Sequence, residues 1–179
     1  NSTSIEGKQA ILRNFLTYWI ICEGTFFFSG FAMLLALGRQ NKLQGVSDQI
    51  KYTLRDESSH IAFGTYLINT LIDQNPSIWT KEIQEEFIEH IKKAVDLEIA
   101  YAKDVLPTGI LGLNADMFVD YMHYIGNRRL EAIGLDYRFP SDKNPFPWLG
   151  EVVDVQAMGN FFERRVREYQ QSGSLEDDF

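Results

Sequence analysis

Apolar residues recur every three or four positions along most of this chain, the spacing of a helix face rather than the alternation of a strand. Thr3 followed by Glu6 reads as a capping box, opening a helix that runs through an apolar stretch to about Gly38, where glycine acts as a stop. The turn Gln44-Gly45-Val46-Ser47 offers Ser47 as the next N-cap with Asp48 in the first turn, and a second helix is predicted to about Asp73, ended by Asn75-Pro76. A third helix is predicted from about Thr80 to Val105 and a fourth from about Asn114 to Ile133. Leu106-Pro107-Thr108-Gly109 separates them, and Gly134-Leu135-Asp136 follows. Residues 139–150 carry Pro140, Pro145 and Pro147, which remove donors and restrict their predecessors, so this stretch is expected to be irregular. A short helix over residues 152–167 should lead into Gln170-Gln171-Ser172-Gly173-Ser174, read as disordered, and an acidic-aromatic end. No strand-period run or internal repeat is evident, and the expected class is all-α.

The hydrophobic share, 45% of 179 residues, suffices for one domain or part of one. A net charge of −8, with Arg128-Arg129 and Arg164-Arg165 as isolated doublets, argues against a nucleic-acid partner, which needs clustered cations to neutralise phosphates. The single Cys22 forbids an internal disulfide and lacks the paired spacing of a thiolate metal site, which fits a reduced, cytoplasmic compartment. Asn1-Ser2-Thr3-Ser4 lacks the basic region of a signal peptide, so no export signal is expected in this stretch. Its segment 15–37 is long enough to cross a bilayer, but Glu23 interrupts it and no basic belt or second span accompanies it. A helix buried in a bundle, with no membrane, is the preferred reading.

Glu23 then becomes the informative residue. The inward stripe of the first helix runs Leu12, Leu16, Trp19, Glu23, Phe27, Gly30, Leu34, and that of the second Ile50, Thr53, Glu57, His60, Gly64, Leu67, Leu71. Two carboxylates and an imidazole facing one core are costly to bury unless a cation lies between them. Glu57-Ser58-Ser59-His60 is a Glu-x-x-His element, whose spacing stacks carboxylate and imidazole on one helix face. Di-iron and di-manganese bundles build their sites from a lone Glu on each of two helices and a Glu-x-x-His on each of two others, and this chain has one of each.

Arg55-Asp56-Glu57-Ser58-Ser59-His60 resembles the Arg-Asp-Glu-x-x-His metal motif of ribonucleotide reductase small subunits, and the distance from Glu23 to Glu57 is similar too. Gly134-Leu135-Asp136, Asn144-Pro145-Phe146-Pro147-Trp148, the run from Gly159 to Val166 and Glu168-Tyr169-Gln170 extend the resemblance over nearly the whole chain. It implies the C-terminal half of a ferritin-like bundle over residues 1–168 and a flexible tail over 169–179. Glu23, Glu57 and His60 would be metal ligands, and Phe27 and Phe31 the apolar wall of a dioxygen pocket. Asp56 would hydrogen-bond a ligand histidine and help move the radical, and Tyr169 would pass it to the catalytic large subunit. Leu175-Glu176-Asp177-Asp178-Phe179 would dock on that subunit.

The family's remaining ligands, its radical tyrosine and its early tryptophan precede the point where this sequence begins. The expectation is therefore a partner carrying the N-terminal half of the small subunit, two metal ions shared with it, weak metal binding by this chain alone, and a dimer of the assembled subunit. The pair is expected to be iron–iron, with manganese–iron and manganese–manganese as alternatives. A related ferritin-like di-metal oxidase would share Glu23, Glu57 and His60 without needing Tyr169 or the tail; a non-catalytic interaction remnant would need none of them. Asp120 and His123 repeat the carboxylate–imidazole spacing, but His123 is read as structural, as are Cys22 and the phenylalanine runs; His90, on a solvated acidic face, has no role.

Overall fold

The computed structural model describes residues 4–110 and 112–149; the expected helix at 152–167, Tyr169 and the tail lie outside the described residues. Among them no strand forms beyond an isolated bridge between Ile110 and Leu113. The elements are α1 (Ile5–Phe15), a π-helical segment (Leu16–Phe26), α2 (Phe27–Arg39), α3 (Gln44–Gln74), a 3-10 turn (Pro76–Ile78), α4 (Lys81–Val105) and α5 (Ala115–Ala132). The described residues are all-α, as the helical periodicity predicts.

The first three elements form one continuous rod, Ile5–Arg39, and the π segment at its middle packs against α3, α4 and α5 together. The rod passes a length-and-composition test for a membrane span, but 67% of its most apolar window is buried within the fold. Leu12, Leu16 and Ile20 are fully buried, and Leu54, Ile68, Phe87, Ile91, Phe118, Met122 and Leu130 close around them. Burial is not confined to the expected stripe. Ile21, Gly24, Thr25, Phe28 and Ser29 are buried as well, while Phe27 is exposed. The wider turn of the π segment shifts the register that a 3.6-residue period assumes.

The helix starts also differ in detail. The first cap is Ser4, which accepts from Gly7 N at 3.1 Å, one residue after the expected Thr3. Ser47 is no cap: α3 begins at Gln44 behind a left-handed Leu43, and Ser47 is buried against Gly38, whose missing side chain makes room for it. A close helix approach thus claims the residue that local capping preference would have placed at the end. Thr80 and Asn114 cap α4 and α5 as expected. Gly134 follows α5 with a φ of +69°, the left-handed stop that glycine takes without steric cost, and Leu135 N returns to Leu130 O at 2.9 Å.

Polar links fix the helices laterally. Arg13 on α1 grips Glu86 on α4 in a forked pair, both closest contacts at 2.9 Å. Asn69 on α3 donates to Ala132 O at 3.0 Å, and Asn127 accepts from Phe139 N at 2.7 Å, holding the proline-rich segment against α5.

Candidate metal centre

Three expected residues meet where the π segment crosses α3. Glu23 projects from the π segment, and Glu57 and His60 from successive turns of α3; one ligand atom from each lies within 4.8 Å of the others. His60 Nδ1 stands 3.4 Å from Glu57 Oε2 and 3.8 Å from Glu23 Oε2. Gly64, one turn along α3, makes this approach possible, since a Cβ there would overlap the Trp19 indole. The Trp19 ring meets Phe63 edge-on at 6.0 Å.

The cluster has the character of a cation site. Glu23 is 7% exposed, and among the described residues its Oε2 has no hydrogen-bond partner. An unsatisfied buried carboxylate oxygen costs free energy that a cation would recover. Two carboxylates and an imidazole suit iron or manganese, whose ligand preferences span oxygen and imidazole nitrogen. His60 is open to solvent, so the three residues line one side of a site rather than enclose it. The Tyr18 hydroxyl lies beside the cluster, and the Glu23 carboxylate holds its pKa above the ordinary phenol value.

Phe27 and Phe31 lie on α2 with ring centroids 5.9 Å apart. They line an open cleft of about 290 Å³ with Phe26, Gly30, Leu34 and Ile50, floored by Glu98 and Tyr101 of α4. Phe31 is buried, but Phe27 is 44% exposed, so the wall is completed on one side only. Asp56 is exposed beside Glu57, and no described contact joins it to His60. Outside the cluster, His123 stacks on Phe139 at 5.4 Å with its pKa lowered by burial, a structural placement. His90 is exposed, and Cys22 is half-buried and unpaired.

The sequence assigns no role to two further buried polar groups, Glu98 and Arg129. Glu98, 8% exposed, accepts from the Ser29 hydroxyl, and burial raises its pKa although that hydrogen bond opposes the shift. Arg129, also 8% exposed, donates from Nε to Gly24 O at 2.6 Å. The signal for both was the one that marked Glu23. Glu98 continues the stripe of Ile91 and Val95, and Arg129 that of Phe118, Met122 and Ile125, at helix-face spacings.

Residues 2–145 match the family described as "Ribonucleotide reductase, small chain". The "Ribonucleoside-diphosphate reductase subunit beta" of Chlamydia pneumoniae is 52% identical over 96% of this chain and 49% of its own length. The Saccharomyces cerevisiae "Ribonucleoside-diphosphate reductase small chain 1" is 31% identical over 96% of this chain and 41% of its own. Among solved structures, the "Ribonucleotide reductase R2 subunit from Clostridium botulinum" superposes with a TM-score of 0.72 at 36% identity, covering 80% of this chain and 44% of that one. The chain spans about half the length of the curated relatives it matches.

Proposed function

This chain belongs to the ribonucleotide reductase small-chain family, and from that premise we propose that it forms the C-terminal part of a radical-generating subunit. Glu23, Glu57 and His60 are its contribution to a two-metal site. The observation that carries this reading is the convergence of those three residues, with a buried Glu23 oxygen left unsatisfied, on the fold of the family. The remaining ligands come from the N-terminal half of the bundle, whether that half is joined to this chain or separate from it. Two assembled subunits form the dimer.

A bound pair of reduced metal ions, iron–iron first and manganese-containing pairs as alternatives, would supply the electrons that activate dioxygen and leave a one-electron oxidant. The protein's part is to hold and shield. Glu23 is fixed by the packed π segment, while Glu57 and His60 ride on a rigid helix, so the ligands meet the cation with little reorganisation. Phe27 and Phe31 exclude water on the cleft side once the other half covers them. Asp56 positions a ligand imidazole and carries the radical out, and Tyr169 passes it to the large subunit. Leu175 to Phe179 dock there, in an extended mode that suits an aromatic groove. The outcome is reduction of ribonucleotides to deoxyribonucleotides, in the reducing cytoplasm.

Native mass spectrometry of this chain expressed with the N-terminal half of the small subunit, after aerobic loading with iron and manganese, tests the proposal. A complex holding two metal ions per pair is expected, lost on Glu57→Ala. Metal uptake and oxidase turnover unaffected by Tyr169→Phe or removal of the tail would move the reading to a ferritin-like oxidase. A complex that forms metal-free and stays so would move it to an interaction remnant.

A further inference from the structure

Trp19 lies one turn from the metal cluster on both elements that build it. It precedes Glu23 in the π segment by the same four residues by which Gly64 follows His60 on α3. Trp19 meets Gly64, and Glu23 meets His60. The two contacts are therefore successive rungs of one antiparallel crossing, about 6 Å apart along α3.

The first rung is steric. A Cβ built on Gly64 would fall 2.2 Å from Trp19 Cγ and 2.5 Å from Cδ2, so the indole rests directly on the bare glycine backbone. Three rings hold it there. Phe15 lies tilted against it at 4.8 Å, and Tyr18 and Phe63 meet it edge-on at 5.8 and 6.0 Å. Aromatic pairs at these separations attract and favour such orientations, so the indole is kept from swinging aside. The second rung is chemical. His60 Nδ1 is 3.8 Å from Glu23 Oε2, and His60 is open to solvent, so its distance from Glu23 follows from how closely the π segment and α3 approach. Metal ligands must be held within roughly 0.5 Å of their working geometry, and close-packed interiors pass small steric changes on to their neighbours.

We propose that Trp19 is a positioning residue of the metal centre: its indole, seated on Gly64, sets the separation at which Glu23 on the π segment and Glu57 and His60 on α3 share one cation. The role rests on the reading of those three residues as ligands. Trp19 itself touches no metal; it acts through the spacing of the two elements.

Mn(II) titration of the full-length chain, followed by electron paramagnetic resonance, reads the ligand geometry. Trp19→Ala should weaken Mn(II) binding about tenfold or more, as loss of a residue that orients a ligand does, and broaden the bound signal. Trp19→Phe keeps a flat ring on the Gly64 backbone and should restore most of the affinity and the narrower signal. Should Trp19→Ala fail to fold, Trp19→Leu, which keeps apolar bulk without the ring, should show the same weakening. Ile78→Ala truncates a fully buried side chain in the 3-10 turn; it should lower the urea midpoint and leave the Mn(II) signal unchanged, separating positioning from general loss of stability. Spin labels at the exposed Thr17 and Tyr66, in a Cys22→Ser background, report the spacing without metal. Their dipolar distance distribution should be the same in Trp19→Phe as with tryptophan and should shift or broaden in Trp19→Ala. Mn(II) bound equally well by Trp19→Ala, label distances that ignore that substitution, or equal losses of Mn(II) affinity in Trp19→Ala and Ile78→Ala overturn the positioning role and leave the ligands in place. No Mn(II) uptake by the unaltered chain overturns the ligand reading on which the role rests.

Discussion

Glu23 and Glu98 are buried carboxylates with different settings. Glu98 has the Ser29 hydroxyl and a raised pKa, so it takes up its proton at a higher pH in the folded chain than in the unfolded one. Its contribution to stability is then complete at low pH and is lost as pH climbs from about the ordinary value of 4.5 through the raised one. Glu98→Gln should therefore flatten the decline in urea midpoint over that range and raise stability at neutral pH, as a pH series of denaturation curves would show. Among the described residues Glu23 Oε2 has no hydrogen-bond partner, and an unsatisfied buried acceptor costs roughly 1–3 kcal/mol. Glu23→Leu should make the metal-free chain about 1 kcal/mol more stable and remove any rise in melting temperature on adding Mn(II), two readouts of opposite sign from one substitution. His60, exposed at the edge of the cluster, should behave otherwise: His60→Ala should cost Mn(II) affinity about tenfold or more with little change in metal-free stability.

At the scale of elements, the π segment is the feature that local propensity does not announce. Two of its carbonyls bond to donors outside the backbone ladder: Thr25 Oγ1 takes Ile20 O at 2.9 Å, and Arg129 takes Gly24 O. Such side-chain donors belong with a widened turn, and π turns recur at functional sites. Glycine at 24 and 64 lets this segment lie close to α5 and α3. A Cβ on Gly24 would come 2.8 Å from Trp19 O, and one on Gly64 would overlap the indole. Gly24→Ala and Gly64→Ala should each cost about 1–3 kcal/mol of unfolding free energy in urea melts. Gly64→Ala should also weaken Mn(II) binding, because it pushes α3 and its two ligands away from Glu23. Gly45, near the start of α3 with open space around it, should tolerate alanine without loss on either measure.

Across the molecule, the four long helical elements bury a continuous core, yet Tyr18, Phe27, Phe63 and Tyr66 stay exposed. Tyr18 stands beside Glu23, and Phe63 reaches the same region through Trp19, so aromatic surface surrounds the open side of the cluster. In the proposed assembly the rest of the bundle covers these rings and completes the ligand set. Hydrogen exchange on the chain alone and on the assembled subunit should show new protection in α2 and the first half of α3, with α4 little changed.

The all-α class, four of the helix ends and the pairing of Glu57 with His60 could be read from residues alone, because helix-face spacing and end signals act within a few residues of one another. Glu23 was legible as a polar residue in an apolar run, and the motif around Asp56 pointed to the family before any geometry was known. The same inward-face logic applied to Glu98 and Arg129 but was not decisive there, since no motif singled them out. Other features depended on contacts between residues far apart in the chain. Ser47 became a packing residue because Gly38 lets the rod come close; the π turns widened where Arg129 reaches across from α5; Phe27 turned outward with the shifted register. Local chemistry therefore determined which helices form and which side chains could bind a metal, while packing between helices decided the register, the buried arginine and the open face, because these are set by neighbours that the linear order does not place side by side.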